Sequence, residues 1–121
     1  MLIGLGHDIQ LTSELEKVEA LKIPGIFFTE TEYLYFSQSK NPLQSMTAQF
    51  SAKEALFKAL KIAPQFYWTD VEIQHNSSKA PYFQFYGSLA EYFTRQNWTA
   101  HISISHSGDY VSTVVIIALG T

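Results

Sequence analysis

The chain has 121 residues, 46% of them apolar and 16% charged, with a net charge of −3 and no cysteine. This size and balance suit one globular domain, residues 1–121, with a modest core. They exclude disulfides, zinc–thiolate sites and thiol nucleophiles, and eight scattered basic residues make no stripe for nucleic acid. No apolar run approaches the roughly 20 residues of a membrane span, and the start does not read as a secretory signal, so the cytoplasm is the expected location.

Leu2 to Leu5 reads as a short strand, followed by the stretch GLGHDI, residues 4–9. Gly4 and Gly6 weaken a strand, and Asp8 is poor strand material. Either the chain turns there or a carboxylate is presented where the backbone must leave room. Ser13-Glu14-Leu15-Glu16 has capping-box form and predicts a short helix that stops near Pro24-Gly25. Thr29 and Glu32 repeat the signal and predict a second short helix through Tyr33 and Phe36. Asn41-Pro42 offers an N-cap followed by proline, and the longest helix is predicted from there to about Lys61.

Past Pro64 the pattern changes. Val71 to Gln74 alternates, Asn76-Ser77-Ser78 turns, and Pro81 to Tyr86 is β-prone. Ser88 with Glu91 forms a third capping box, opening a helix with Leu89, Tyr92 and Phe93 on one face. His101 to His106 alternates, Ser107-Gly108-Asp109 turns, and Tyr110 to Ala118 predicts a last strand. Helices early and hairpins late indicate an α+β fold, with an antiparallel sheet packed against the long helix.

Two stretches carry candidate chemistry. In FSAKEALFKAL, residues 50–60, a helical projection at about 100° per residue gathers Met46, Phe50, Leu56, Phe57 and Leu60 in one apolar arc. Glu54 lies at its edge with Lys58 further round, which also suits an ordinary surface pair at i, i+4. Lys53 falls inside the arc, where its ammonium must escape or find a partner. In HISISHSGDY, residues 101–110, Ile102, Ile104 and His106 share one strand face, while His101, Ser103 and Ser105 share the other. A hydrolase built on Ser105, His106 and Asp109 is disfavoured, because adjacent strand residues point apart and no nucleophile elbow is present.

Taken in order, Asp8, Ala52-Lys53-Glu54-Ala55 with Lys58, and Ser103-x-Ser105-His106 resemble the 4′-phosphopantetheinyl transferases. The likeness is to the short holo-acyl-carrier-protein synthase type and runs from Gly4 to about Ile117. It implies transfer of 4′-phosphopantetheine from coenzyme A to a serine of an apo acyl or peptidyl carrier protein, releasing 3′,5′-ADP. It implies magnesium held on the pyrophosphate by Asp8 and Glu54, which suits a hard cation that shares its positions with water and phosphate. Lys58 is implied near the phosphates, as a catalytic group beside Asp8 and Glu54, and His106 and Ser105 as coenzyme A-binding residues. Glu54 is one candidate for the base that deprotonates the serine. On this view Gly4 and Gly6 let backbone and phosphate approach closely.

The resemblance also implies fatty acid or polyketide biosynthesis and a homotrimer with active sites between subunits. A physical hint agrees: Val114 to Ile117 is apolar on both strand faces. The chain departs from the family's pattern on its recognition surface. The first helix carries Glu14, Glu16 and Glu19 and no arginine, Gln49 stands where arginine is frequent, and Lys79-Ala80-Pro81 replaces Gly-Lys-Pro. The competing reading is a non-catalytic module that binds a carrier protein or coenzyme A and keeps the fold.

Overall fold

The computed structural model describes residues 1–61 and 65–120. The first strand, β1 (Leu2–Leu11), runs straight through the glycines and Asp8. The strand expected at Leu2 to Leu5 therefore continues to Leu11, and no turn occurs at Asp8. The glycines are there for the helix and not for a loop. A Cβ on Gly4 would lie 2.2 Å from the Ala59 carbonyl oxygen, and one on Gly6 would lie 1.9 Å from that of Ala55. Only a bare backbone fits under those turns of helix, and this outweighs the poor strand propensity of glycine.

A single turn, α1 (Thr12–Leu15), and a 3-10 turn (Glu19–Lys22) follow. The Ser13 capping box does not form. Leu11 occupies the cap position without a side-chain bond, and Ser13 instead donates its hydroxyl to Asp109 Oδ2 at 2.8 Å. Thr12 bonds the other oxygen of the same carboxylate, so the turn between the last two strands supplies the cap from across the fold. Helix α2 (Glu30–Ser37) starts with the expected Thr29–Glu32 capping box, and α3 (Pro42–Ala59) starts with Asn41 accepting from the Gln44 amide. The backbone leaves helical geometry at Leu60, so α3 ends slightly before Lys61.

A 3-10 turn (Trp68–Asp70) leads to the hairpin β2 (Val71–His75) and β3 (Pro81–Phe85). Helix α4 (Gly87–Gln96) has no side-chain cap, since the Ser88 hydroxyl bonds the Gln65 carbonyl at 3.0 Å. The strands β4 (Trp98–Ser107) and β5 (Tyr110–Leu119) complete an antiparallel sheet of order β1-β5-β4. Asp8 pairs with Thr113, which also pairs with Ile104 on the other side.

Helix α3 lies on the inner face of this sheet. Its Ala55, Leu56 and Ala59 pack with Val115 and Ile117 of β5, and Val71, Leu89 and Phe93 close the same core. Phe57, expected in the buried arc, is 53% exposed, because small alanines and not large rings face the sheet. A second cluster joins Leu15, Leu21, Phe27, Phe28, Phe36 and Met46. The outer face is uncovered: Leu5 and Ile9 are each 56% exposed, with Ile116 beside them at 38%.

Candidate functional site

Alternation along β1 turns Asp8 inward with Gly4 and Gly6, so its carboxylate meets α3 where the helix lies closest. Asp8 is only 4% exposed. Its Oδ1 accepts from Lys58 Nζ at 3.0 Å and its Oδ2 from Gln10 Nε2 at 2.8 Å. Lys58 also donates to the His7 carbonyl at 3.2 Å. Lys58 therefore spends its charge on Asp8, where the sequence also allowed a surface pair with Glu54.

Glu54 stands one helical turn before Lys58 and is half-buried. Its pKa is raised, first by burial and then by the negative charge of Asp8, against a smaller lowering by Lys58. The negative charges of Asp8 and Glu54 thus act on one another, and Lys58, bonded to Asp8, offsets part of that effect on Glu54. No group of three or more His, Asp or Glu side chains poised for a metal occurs among the described residues. This donor set fits a hard divalent cation that takes its remaining positions from water and phosphate, and such an ion would relieve the repulsion that raises Glu54.

The neighbour of Glu54 is anchored from below. Lys53 is fully buried and donates to Glu32 Oε1 at 2.7 Å, the Phe27 carbonyl at 2.7 Å and the Trp68 carbonyl at 3.0 Å. Glu32 also accepts from the amides of Thr29 at 2.9 Å and Ile73 at 2.8 Å. Burial pushes Lys53 down and Glu32 up, and each partner's charge opposes the shift. Three elements and a loop are thereby tied at one point. The lysine was conspicuous in the sequence and its partner was not, although the signal existed: Glu32 is the glutamate of the Thr29 capping box.

His106 ends β4 on the inner side and lies 3.3 Å, through Nδ1, from Gln44 Nε2 of α3. It lines a cavity of about 420 Å3 with Gln44, Gln49, Ile73, Lys79 and Val111. Ser105 alternates to the outer face, away from that cavity. The strand β5 separates His106 on β4 from Asp8 on β1, so one chain does not bring the carboxylates and His106 into a single cluster. A larger cavity of about 700 Å3 lies past α3, lined by Phe57, Leu60, Phe66, Tyr67 and Trp68 among others, and none of its lining among the described residues is acidic.

This arrangement has close parallels. A model of the 4′-phosphopantetheinyl transferase superfamily matches residues 4–115 of the chain. The chain belongs to that superfamily. A holo-[acyl-carrier-protein] synthase of Streptomyces avermitilis is 32% identical over 123 residues, spanning 95% of this chain and 96% of the relative. The crystal structure of the holo-[acyl-carrier-protein] synthase of Neisseria meningitidis superposes with a TM-score of 0.85 at 26% identity, covering 98% of this chain and 99% of that one. The Bacillus anthracis enzyme, in complex with CoA (3′,5′-ADP), shares the fold at a TM-score of 0.80 and 23% identity, with 99% of each chain covered. The α+β architecture expected from the sequence is the architecture of these synthases.

Proposed function

We propose that the chain, as one domain over residues 1–121, transfers 4′-phosphopantetheine from coenzyme A to a serine of an apo carrier protein. The observation that carries this reading is the Asp8–Lys58–Glu54 cluster, seated in a chain that belongs to this superfamily. Asp8 and Glu54 would hold magnesium, which would supply charge neutralisation and orientation at the pyrophosphate of the donor. Asp8 is fixed for this by Gln10 and Lys58, whose two bonds leave its carboxylate little freedom. Lys58 is half-exposed and presents its ammonium toward the phosphates from the same edge.

The acceptor serine attacks the β-phosphate, the P–O bond to the leaving nucleotide breaks, and 3′,5′-ADP departs. Glu54 takes the serine proton, directly or through one water. Positioning and charge neutralisation supply most of the rate. His106, with Lys79 beside it, binds the nucleotide end of the donor in the 420 Å3 cavity.

Three copies assemble through the outer sheet face, where Leu5, Ile9 and Ile116 form an exposed apolar surface. Assembly lets the carboxylates of one subunit work with His106 of the next, which the separation of the two groups within one chain favours. Ser105, on that outer face, then meets coenzyme A across the interface. The host pathway is fatty acid or polyketide synthesis, and the setting is the cytoplasm; no helix among the described residues is long and apolar enough to cross a membrane.

The deciding assay is magnesium-dependent release of 3′,5′-ADP from coenzyme A with a panel of apo carrier proteins. Release with at least one carrier is expected. Tight binding of coenzyme A with no release from any carrier would instead make the chain a binding module. Sedimentation at micromolar concentration is expected to show a trimer, and an active monomer overturns the shared-site reading.

A further inference from the structure

Asp8 has two partners of different kinds. Its Oδ1 accepts from the ammonium of Lys58 at 3.0 Å, and its Oδ2 accepts from the neutral carboxamide of Gln10 at 2.8 Å. Gln10 stands two residues further along β1, so alternation puts both side chains on the inner face. The Asp8 side chain is 4% exposed and that of Lys58 about half, so the lysine meets the carboxylate from the open edge. Gln10 is half-buried and reaches Asp8 along the strand.

Oδ1 is therefore the oxygen open to a cation, on condition that Lys58 gives it up, since two positive charges on one oxygen repel. The torsion that turns a carboxylate is soft. Once Lys58 leaves, the orientation of Asp8 depends on the bond that remains at Oδ2. A carboxamide donates there without net charge, so Gln10 neither competes with a cation nor is driven off by one. The sheet itself asks only for backbone at this position, where Gln10 pairs with Val111.

Orientation matters unequally to different cations. Magnesium demands near-ideal octahedral geometry, whereas calcium accepts longer and more variable contacts and takes a carboxylate through one oxygen or both. A carboxylate held at Oδ2 suits the first, and one free to turn suits the second. We infer that Gln10 is a positioning residue that sets the cation preference of the site, holding Asp8 by Oδ2 so that Oδ1 alone is offered. The inference rests on the proposed metal site at Asp8 and Glu54.

The test is calorimetric titration of the full-length protein with magnesium and, separately, with calcium. Coenzyme A is present, carrier protein is absent, and the binding of each cation to free coenzyme A is subtracted. Gln10→Met fills similar space without a donor, and Gln10→Val replaces the amide with a good strand former. Either variant is expected to bind magnesium about tenfold more weakly than wild type, the scale for losing an outer partner of a metal ligand. Calcium is expected to lose less, so the ratio of magnesium to calcium affinity falls. Misfolded protein in the sample lowers the number of sites and not this ratio. In the wild type, the side-chain amide protons of Gln10 are expected to keep their hydrogen-bonded NMR shift when magnesium is added, while the Lys58 signal moves. That measurement needs no variant. An unmoved ratio in the variants, or loss of the Gln10 bond on adding magnesium to the wild type, overturns the inference. Asp8→Ala separates it from the reading beneath it. Cation binding that Asp8→Ala abolishes, with the ratio unmoved in the Gln10 variants, defeats the role of Gln10 alone. Cation binding unchanged in Asp8→Ala defeats the metal site and the inference with it.

Discussion

Gly6 and Ala55 are in backbone contact, so close that a Cβ at Gly6 would sit 1.9 Å from the Ala55 carbonyl oxygen. That contact sets the height of α3 above β1, and Asp8 follows two residues later on the same strand face. A methyl at Gly6 must push helix and strand apart, and overpacking of this kind typically costs about 1–3 kcal/mol. Gly6→Ala is expected to lower the urea midpoint and to weaken magnesium-dependent turnover together, because the carboxylates of Asp8 and Glu54 separate. Stability and activity both unchanged would show that the contact is not needed.

Asp8→Ala is expected to reduce turnover by on the order of 10²-fold or more, the scale of losing a strong electrostatic contributor to a transition state. The check is initial rate at limiting magnesium. Turnover within twofold of wild type removes Asp8 from the site.

Glu54 gives a signed pH dependence. Its folded-state pKa is raised above the ordinary glutamate value by burial and by Asp8, so the folded chain holds that proton more tightly than the unfolded one. Stability is then lost as pH rises from the ordinary glutamate range through the raised value. In metal-free buffer Glu54→Gln is expected to be more stable than wild type at neutral pH and to converge with it in acid. Parallel denaturation profiles across that range would mean that Glu54 is not perturbed.

The Lys53–Glu32 pair predicts a pattern across two variants. Lys53→Met leaves Glu32 buried without its counter-charge, and breaking such a pair typically costs about 3–5 kcal/mol. Lys53→Met combined with Glu32→Gln is expected to recover part of that loss, since the amide is neutral and its one oxygen keeps the bond to either the Thr29 or the Ile73 amide, which bond different oxygens of the carboxylate. A double variant no more stable than the single one would show that hydrogen-bond geometry, and not charge, holds the three elements.

What could be read from the sequence was local. The Thr29–Glu32 box and the Asn41-Pro42 start depend on residues three positions apart, and both formed. The serines at positions 13 and 88 carry the same local signal, yet Asp109 and the Gln65 carbonyl take their hydroxyls from afar. Gly4 and Gly6 were misread for the same reason: the helix they accommodate lies some fifty residues on, at Ala55 and Ala59. The acidic pair was found through its resemblance to a known family, because nothing in the local pattern joins a strand aspartate to a helix glutamate. Lys58 choosing Asp8 over its helical neighbour required the register of β1 against α3, which no window of the sequence contains.

The charge on the first helical segment bears on the acceptor. Glu14, Glu16 and Glu19 are all exposed, and of the nearby lysines Lys22 is already paired with Glu19 at 3.2 Å, leaving Lys17. An acidic recognition helix brought to this edge would meet like charges, which oppose docking and slow encounter. The expected partner is a dedicated carrier whose recognition helix is neutral or of mixed charge, held more by apolar contact, for which exposed Val18 and Ile23 provide surface. Exposed charges are screened over about 8–10 Å at physiological ionic strength, so a docking mode that does not depend on them should tolerate salt. Raising ionic strength from low to physiological is therefore expected to change the KM for the carrier only slightly. A steep loss of carrier affinity with salt, or a clear preference for a strongly acidic carrier, would place docking on basic residues elsewhere and remove the first helical segment from the recognition surface.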